Sequence, residues 1–202
     1  MTKTKKTIAG VPVFERDDGA MPCLGLGTFQ TGGDECRRSV KMALETGYRH
    51  LDTARMYENE KEVGAGMRDS GVPREEIFLT TKLQMGELDR QGVRQSCENS
   101  LKALDTGYVD LLLVHWPEED TPLEETLNTM VELREEGKIR HLGVSNFTVG
   151  WMQRAVDAIE VPIFCNQIEY HPYIRQTPVI RFCGKRDIAV VAYSPLARGR
   201  AA

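Results

Sequence analysis

The sequence predicts an α/β fold, a (β/α)8 TIM-type barrel that lacks its eighth βα unit, with an N-terminal β-hairpin at the barrel floor. Seven short apolar runs rich in β-forming residues recur along the chain, and their starts lie 22 to 32 residues apart, which is the length of one βα unit. The runs are apolar on both faces, as in a parallel sheet that is covered by helices. Helical patterns fill the six intervals between the runs, which completes the alternation.

The predicted elements follow in chain order. The seven strands are Leu24–Phe29, His50–Ala54, Ile77–Leu83, Val109–Trp116, His141–Phe147, Ile163–Ile168 and Ile188–Tyr193. Asp34 is expected to cap the first helix and Thr148 the fifth, because short polar side chains accept hydrogen bonds from the first turn of a helix. Ahead of the first strand, residues 7–22 have the pattern of a hairpin with its turn at Asp17–Gly19.

The length of the chain limits how complete the barrel can be. A closed barrel of this type needs eight strands and typically about 250 residues, whereas the sequence has 202. We therefore expect one incomplete barrel domain over residues 1–202, in which the first and seventh strands each keep an unpaired edge. An open dinucleotide-binding sheet is a weaker interpretation, because Gly25 and Gly27 are not followed by the rest of a G-x-G-x-x-G pattern.

Composition excludes several classes of function. The formal net charge is −4, so no broad basic field is available to attract nucleic acid. The apolar runs are too short to span a bilayer, and the N-terminus lacks the apolar region of a secretory signal. The five cysteines are odd in number and form no C-x-x-C pair, which argues against a disulfide framework or a zinc site and favours a reducing cytoplasm.

Four titratable residues lie where a barrel would bring them together. Asp52, Lys82 and His115 stand near the ends of the second, third and fourth predicted strands, and Tyr57 lies in the loop after the second. The carboxyl ends of barrel strands share one rim, so the four side chains are expected to converge there. Taken singly, each has an ordinary structural interpretation, such as a turn residue for Asp52 or a solvated strand end for Lys82. Their combination at these strand ends predicts catalysis.

The chemistry of this combination is proton transfer. A lysine ammonium beside a phenol stabilises phenolate, so Tyr57 could donate a proton near neutral pH while Asp52 orients Lys82. His115 could hydrogen-bond the same substrate oxygen. This arrangement suits protonation of a carbonyl oxygen as a hydride reaches the carbon, or the reverse reaction. An aldolase with Lys82 as a Schiff base is a weaker alternative, because a charged lysine is a poor nucleophile.

Three stretches of sequence carry a resemblance to a known family. They read GYRHLDTARMYENEKEVG at 47–64, RHLGVSNF at 140–147, and NQIEYHP at 166–172 with AYSPLARG at 192–199. On these stretches the chain resembles the aldo-keto reductases, NADPH-dependent carbonyl reductases with an eight-stranded (β/α) barrel. It is most similar to the branch that includes the 2,5-diketogluconate reductases. The resemblance implies Tyr57 as general acid, with Lys82, Asp52 and His115 in the supporting roles given above.

The resemblance also implies a set of cofactor-binding residues, which end or follow predicted strands. They are Gly27, Thr28, Ser145, Asn146, Gln167, Tyr193, Ser194 and Leu196. Ser145, Asn146 and Gln167 match positions that hydrogen-bond the nicotinamide carboxamide. Tyr193 matches the aromatic residue that stacks on the nicotinamide ring. Ser194 and Leu196 fall in the loop that reaches the pyrophosphate, and Gly27 and Thr28 match the first loop beside the cofactor.

Phe29, Trp116 and Phe147 match the apolar wall of the substrate pocket, which implies a small, partly apolar aldehyde or ketone. The family's motif for the adenosine 2′-phosphate belongs to the eighth unit and has no counterpart in this sequence. The resemblance implies NADPH as the cofactor, and NADH is kept as an alternative because that motif is absent. A catalytically inactive fragment, or a cofactor-binding protein without enzymatic activity, also stays open. The family implies a monomer, whereas open strand edges would favour dimers or aggregation.

Overall fold

The computed structural model describes residues 7–8, 10–16, 19–120 and 122–201, and it begins with a small antiparallel sheet. This sheet contains β1 (Thr7–Ile8), β2 (Val11–Arg16) and β3 (Gly19–Pro22) in that order. The predicted hairpin over residues 7–22 is therefore confirmed. The first two residues of its predicted turn at Asp17–Gly19 lie outside the described residues.

All seven predicted strands of the main sheet are confirmed, and all of them run parallel. They are β4 (Leu26–Gly27), β5 (His50–Asp52), β6 (Phe78–Lys82), β7 (Val109–Val114), β8 (Ile139–Ser145), β9 (Cys165–Glu169) and β10 (Ala189–Tyr193). Each strand pairs with the next one along the chain. Within the described residues, β4 pairs with β5 alone and β10 with β9 alone, so both outer edges are open as expected.

A helix follows each of the first six strands of this sheet. The helices are α1 (Gly33–Glu45), α2 (Glu60–Ser70), α3 (Arg90–Leu104), α4 (Leu123–Glu135), α5 (Val149–Ala158) and α6 (Thr177–Gly184). Their apolar faces and the outer faces of the strands form one hydrophobic core. None of the helices in the described part of the chain has the length and apolar character needed to cross a membrane.

The two predicted helix caps have different outcomes. Thr148 caps α5, because its side chain accepts a hydrogen bond from the backbone N–H of Trp151. The prediction for Asp34 is wrong, since Gly32 occupies the N-cap of α1 and Asp34 lies in the first turn. An acidic side chain in the first turn still interacts favourably with the positive end of the helix dipole.

The hairpin covers the end of the main sheet at which its strands begin. Arg16 Nη1 donates a hydrogen bond to the carbonyl oxygen of Ile163 at 2.9 Å. The Phe14 ring meets the edge of the Phe164 ring at a centroid distance of 6.0 Å. Gly19 approaches the ring of His141, which lies near the start of β8, so closely that a Cβ atom there would be 2.5 Å from Nε2. The predicted position of the hairpin at the barrel floor is therefore confirmed.

Glycine lets α2 pack closely against its neighbours. A Cβ atom on Gly64 would lie 2.3 Å from the carbonyl oxygen of Leu104 at the end of α3. A Cβ atom on Gly66 would lie 2.6 Å from the carbonyl oxygen of Arg37 in α1. Because both obstacles are backbone atoms, a side chain at either position would force the helices apart.

The substitution Gly64→Ala is expected to lower the free energy of unfolding by about 2 kcal/mol, since overpacking outweighs the better helix propensity of alanine. Gly150→Ala is the matched control, because Gly150 is an exposed residue of α5 and the nearest heavy atom to its Cβ would be 4.0 Å away. That control should be neutral or stabilising by up to about 1 kcal/mol. Urea unfolding of both variants measures the difference, and equal effects would contradict the packing argument.

Candidate active site

The site is built around a lysine that is buried with its charge. Lys82 is the last residue of β6, and it is 1% exposed. Its Nζ donates hydrogen bonds to Asp52 Oδ1 at 2.5 Å, to the carbonyl oxygen of Thr53 at 2.9 Å and to Tyr57 Oη at 3.3 Å. A buried ammonium is tolerated only when its donors are satisfied, and these three oxygens satisfy them.

The surroundings of Lys82 keep it protonated. Burial alone would lower its pKa, but the Asp52 carboxylate and the Tyr57 oxygen outweigh burial, so the pKa of Lys82 is raised. An amine with a raised pKa is almost entirely ammonium at neutral pH and is a poor nucleophile. This result disfavours the Schiff-base alternative. The ammonium is instead suited to stabilise negative charge on the neighbouring phenol oxygen.

Tyr57 is positioned by the loop between β5 and α2. It ends a short 3₁₀ turn, Arg55–Tyr57, that starts three residues beyond the strand. Its ring lies 5.1 Å from the Phe29 ring and 5.9 Å from the His115 ring, measured between centroids. Lys82 Nζ lies 5.0 Å from the centre of the same ring. The phenol therefore sits among an apolar ring, an imidazole and an ammonium.

His115 directly follows β7, and burial controls its protonation. Burial and the nearby Lys82 charge lower the pKa of His115 to about 4, although Asp52 acts in the opposite direction. Its Nδ1 is buried and has no hydrogen-bond partner among the described residues. The imidazole is therefore neutral near pH 7. A neutral imidazole can donate or accept a hydrogen bond without carrying a charge.

Through Asp52, Lys82 is connected to Gln167 on a strand four positions away in the sheet order. Its Nε2 donates a hydrogen bond of 2.6 Å to Asp52 Oδ2, the carboxylate oxygen that Lys82 leaves free. The backbone carbonyl of Gln167 accepts a hydrogen bond from Ser145 Oγ at 2.9 Å. Asp52 belongs to β5 and Gln167 to β9, so this hydrogen bond connects two strands that are not neighbours in the sheet.

Asn146 and Tyr193 extend this network. Asn146 Nδ2 donates to the carbonyl oxygen of His115 at 3.1 Å, and its Oδ1 accepts from Tyr193 Oη at 2.9 Å. Asn146 adopts a left-handed backbone conformation with φ 63°, which asparagine tolerates better than most residues. Two residues of the predicted nicotinamide set, Gln167 and Asn146, are therefore hydrogen-bonded to two of the four predicted catalytic residues, Asp52 and His115.

The other predicted residues are placed in different ways. Gly27 pairs with Asp52 in the sheet, and the Thr28 N–H donates to the carbonyl oxygen of Asp52 at 3.0 Å. Phe29 and Trp116 are 54% and 42% exposed, so both present apolar surface to the outside. The remaining three are Phe147, Ser194 and Leu196.

Phe147 is the predicted pocket residue whose placement differs most from the expectation. It is 1% exposed and packs against the Trp151 ring, with the centroids 5.8 Å apart. Its ring therefore belongs to the hydrophobic core rather than to the exposed surface. Ser194 and Leu196 lie in the turn after β10, where the N–H of Ala197 donates to the Ser194 carbonyl. A ligand-binding role for these three residues stays a prediction.

The sequence analysis missed three residues around this network. Thr53 supplies a backbone carbonyl to Lys82, which no side-chain pattern could reveal. Glu60 is buried, its Oε1 accepts a hydrogen bond from Thr81 Oγ1 at 2.6 Å, and burial raises its pKa. Asn59 has three hydrogen bonds to loops on either side. Their only sequence signal is that all three fall within the distinctive stretch 47–64.

Comparison with known proteins gives a family. The model of the aldo/keto reductase family matches residues 23–202. Methylglyoxal reductase DkgB of Escherichia coli O157:H7 is 41% identical over 185 residues, which cover 90% of this chain and 69% of that protein. The chain spans about 60 to 69% of the length of the curated relatives that it matches.

Solved structures agree with this result. A protein provisionally assigned as 2,5-diketo-D-gluconic acid reductase B has a TM-score of 0.87 and 42% identity, over 89% of this chain and 64% of that one. The aldo-keto reductase of Bombyx mori in complex with NADP has a TM-score of 0.86 and 35% identity, over 91% and 66% of the two chains.

The pKa of His115 predicts a pH dependence of stability. The unfolded chain binds a proton at His115 near pH 6.5, whereas the folded chain does so only near pH 4, so stability falls as pH drops through this window. Between pH 7 and 5 His115 should contribute a loss of about 2 kcal/mol. The variant His115→Gln should lack this part of the loss, as measured by urea unfolding at both pH values. Equal losses in the two proteins would contradict the lowered pKa.

Proposed function

The chain belongs to the aldo/keto reductase family, and we propose that it reduces a small aldehyde or ketone to an alcohol with NADPH. The observation that carries this proposal is the contact between Tyr57 Oη and the buried Lys82 Nζ at 3.3 Å. A phenol beside a permanently charged ammonium is equipped to give up a proton, which is what a carbonyl oxygen must receive during reduction.

The residues of the rim fit a nicotinamide cofactor. The amides of Asn146 and Gln167 and the hydroxyl of Ser145 can together donate and accept the hydrogen bonds of a carboxamide. Tyr193 offers an aromatic ring that is tied to Asn146 by a hydrogen bond of 2.9 Å. When bound, the reduced cofactor would supply the hydride that reaches the carbonyl carbon. The Bombyx mori relative in complex with NADP supports this assignment.

The proton follows a short path in this proposal. Tyr57 Oη transfers its proton to the carbonyl oxygen of the substrate as the carbon is reduced. The negative charge left on Tyr57 is stabilised by the ammonium of Lys82, which Asp52 holds in place at 2.5 Å. Neutral His115 forms a hydrogen bond to the same oxygen and orients it towards Tyr57.

The exposed rings near the site support a proposal for the class of substrate. Phe29 lies against Tyr57, and Trp116 directly follows His115. These two exposed rings, one against Tyr57 and one next to His115 in the chain, provide apolar surface that suits a small carbonyl compound with an apolar substituent. Methylglyoxal is the natural first test, because a relative with 41% identity is named for its reduction.

We place the protein in the cytoplasm, since all five of its cysteines are free.

The substitution Tyr57→Phe is expected to lower turnover of methylglyoxal by about 10² to 10⁴-fold, because the general acid is removed while the ring remains. Tyr108→Phe is the matched control, as Tyr108 precedes β7 at the opposite end of the sheet and stacks against Arg74 and Arg140. NADPH consumption measured by absorbance tests both variants. An unaffected Tyr57→Phe protein would refute the assignment, and no turnover in the wild type would favour a binding protein or an inactive chain.

Fluorescence titration with NADPH and NADH distinguishes a cofactor-binding protein without activity from a chain that binds no cofactor. Tyr193→Leu should weaken NADPH binding by about tenfold, because stacking on an aromatic ring contributes on the order of 1 kcal/mol. Tyr48→Leu serves as a control for loss of an aromatic ring elsewhere. Binding without turnover would indicate a cofactor-binding protein without enzymatic activity. Equal affinity of wild type and Tyr193→Leu would remove the stacking role of Tyr193.

A further inference from the structure

The side chain of Asn59 connects two loops of the site, one that carries Phe29 and one that carries Thr53 and Tyr57. It is 1% exposed at the N-cap of α2. An asparagine at this position ordinarily accepts a hydrogen bond from the first turn of its own helix. In the described structure its side chain forms no such bond. The amide is used instead for contacts with residues that are distant along the chain.

The donor side of the amide holds the loop after β4. Asn59 Nδ2 donates to the carbonyl oxygen of Thr28 at 2.7 Å and to that of Thr31 at 2.8 Å. Between these residues, Gln30 has a left-handed backbone with φ 61°. A non-glycine residue in this conformation is strained and persists where its surroundings fix it. Both N–H donors of the amide therefore fix the segment 28–31, which carries Phe29.

The acceptor side of the amide is connected to the buried lysine. Asn59 Oδ1 accepts a hydrogen bond from Thr53 Oγ1 at 3.0 Å, and Thr53 is fully buried. The carbonyl oxygen of Thr53 in turn accepts from Lys82 Nζ at 2.9 Å. One amide thus spans the loop that carries Phe29 and the residue that helps to hold Lys82 beside Tyr57.

We propose that Asn59 is a positioning residue that holds the Phe29 wall against Tyr57 and thereby limits the size of the carbonyl compounds that reach the proton donor. Phe29 is half-exposed, and its ring packs on Tyr57 at 5.1 Å, so its place depends on the segment that Asn59 fixes. Without that amide the segment is free to move outward, and the space above Tyr57 widens. The part of this inference that concerns substrate size rests on the proposed function.

Hydrogen exchange tests the positioning role without any turnover. In Asn59→Ala, peptides covering residues 28–32 should exchange about tenfold faster than in the wild type, because two hydrogen bonds to this segment are lost. Peptides from α3 should exchange at the wild-type rate. Asn166→Ala is the matched control, since Asn166 is also buried and its Nδ2 donates to the Phe147 carbonyl at 2.9 Å, in another loop. It should leave residues 28–32 unchanged.

Substrate selectivity tests the consequence for size. Relative to methylglyoxal, kcat/KM for phenylglyoxal should rise about tenfold in Asn59→Ala, a change equivalent to about 1.4 kcal/mol. Phe29→Ala should produce a similar change, and the double variant should exceed neither single one, because both act through the same ring.

The outcomes separate this inference from the proposed function. Unchanged exchange of residues 28–32 in Asn59→Ala overturns the positioning role, whether or not the protein turns over. Faster exchange with an unchanged selectivity ratio, or with additive effects of Asn59→Ala and Phe29→Ala, overturns the size limit. Absence of wild-type turnover with NADPH contradicts the proposed function and its size limit, while the exchange result still decides the positioning role. If Asn59→Ala does not fold, Thr53→Val removes only the bond to Oδ1 and should shift exchange in the same direction.

Discussion

The buried positive charge of Lys82 is the constraint on which the rest of the site depends. Removing an ammonium from water costs several kcal/mol, and leaving it without one partner costs about 3 to 5 kcal/mol. Its three acceptors come from the end of β5 and from the one loop that follows it, so their positions must be correct together. The register of the sheet meets this requirement, because Asp52 pairs with Thr80, two residues before Lys82 on the adjacent strand.

Asp52 extends the hydrogen bonding of the buried Lys82 charge to a distant strand of the sheet. One carboxylate oxygen binds Lys82 and the other binds Gln167, which lies on a strand four positions away in the sheet order. Lys82, which contacts Tyr57, and the Gln167 amide therefore share the single carboxylate of Asp52. A displacement on one side is transmitted to the other through two charge-assisted hydrogen bonds, which are the strong class of such bonds. Tyr57, Lys82, Asp52 and Gln167 therefore form one connected hydrogen-bond network.

Sequence predicts the parts of this molecule that depend on local pattern. The seven strands, the floor hairpin and the placement of Asp52, Lys82 and His115 at strand ends follow from apolar periodicity and element spacing. The first strand is shorter than the predicted Leu24–Phe29, because Thr28 and Phe29 belong to a loop that is held from outside the strand. Apolarity alone also cannot tell a ring in the core, such as Phe147, from one on the surface.

The contacts that sequence could not supply are tertiary. The carbonyl oxygen of Thr53 and the Nδ2 group of Asn59 bond to partners 28 to 31 residues away, and neither residue type indicates such a role in the sequence. A carbonyl is common to every residue, and an asparagine before a helix is ordinarily explained as a cap. Such contacts become visible only when the loops are placed beside one another.

Tertiary hydrogen bonds at the rim hold loop residues in strained backbone conformations. Gln30, Glu58, Asn146 and Ser194 are all non-glycine residues with positive φ, and each lies in a loop that follows a strand of the main sheet. Conformations of this kind cost on the order of 1 to 3 kcal/mol each and persist only when neighbouring structure fixes them. Here the fixing groups are visible for two of them, since Asn59 holds the segment of Gln30 and the side chain of Asn146 bonds to His115 and Tyr193. The rim is therefore ordered by its own hydrogen bonds before any ligand arrives, which is the condition for electrostatic stabilisation without reorganisation during a reaction.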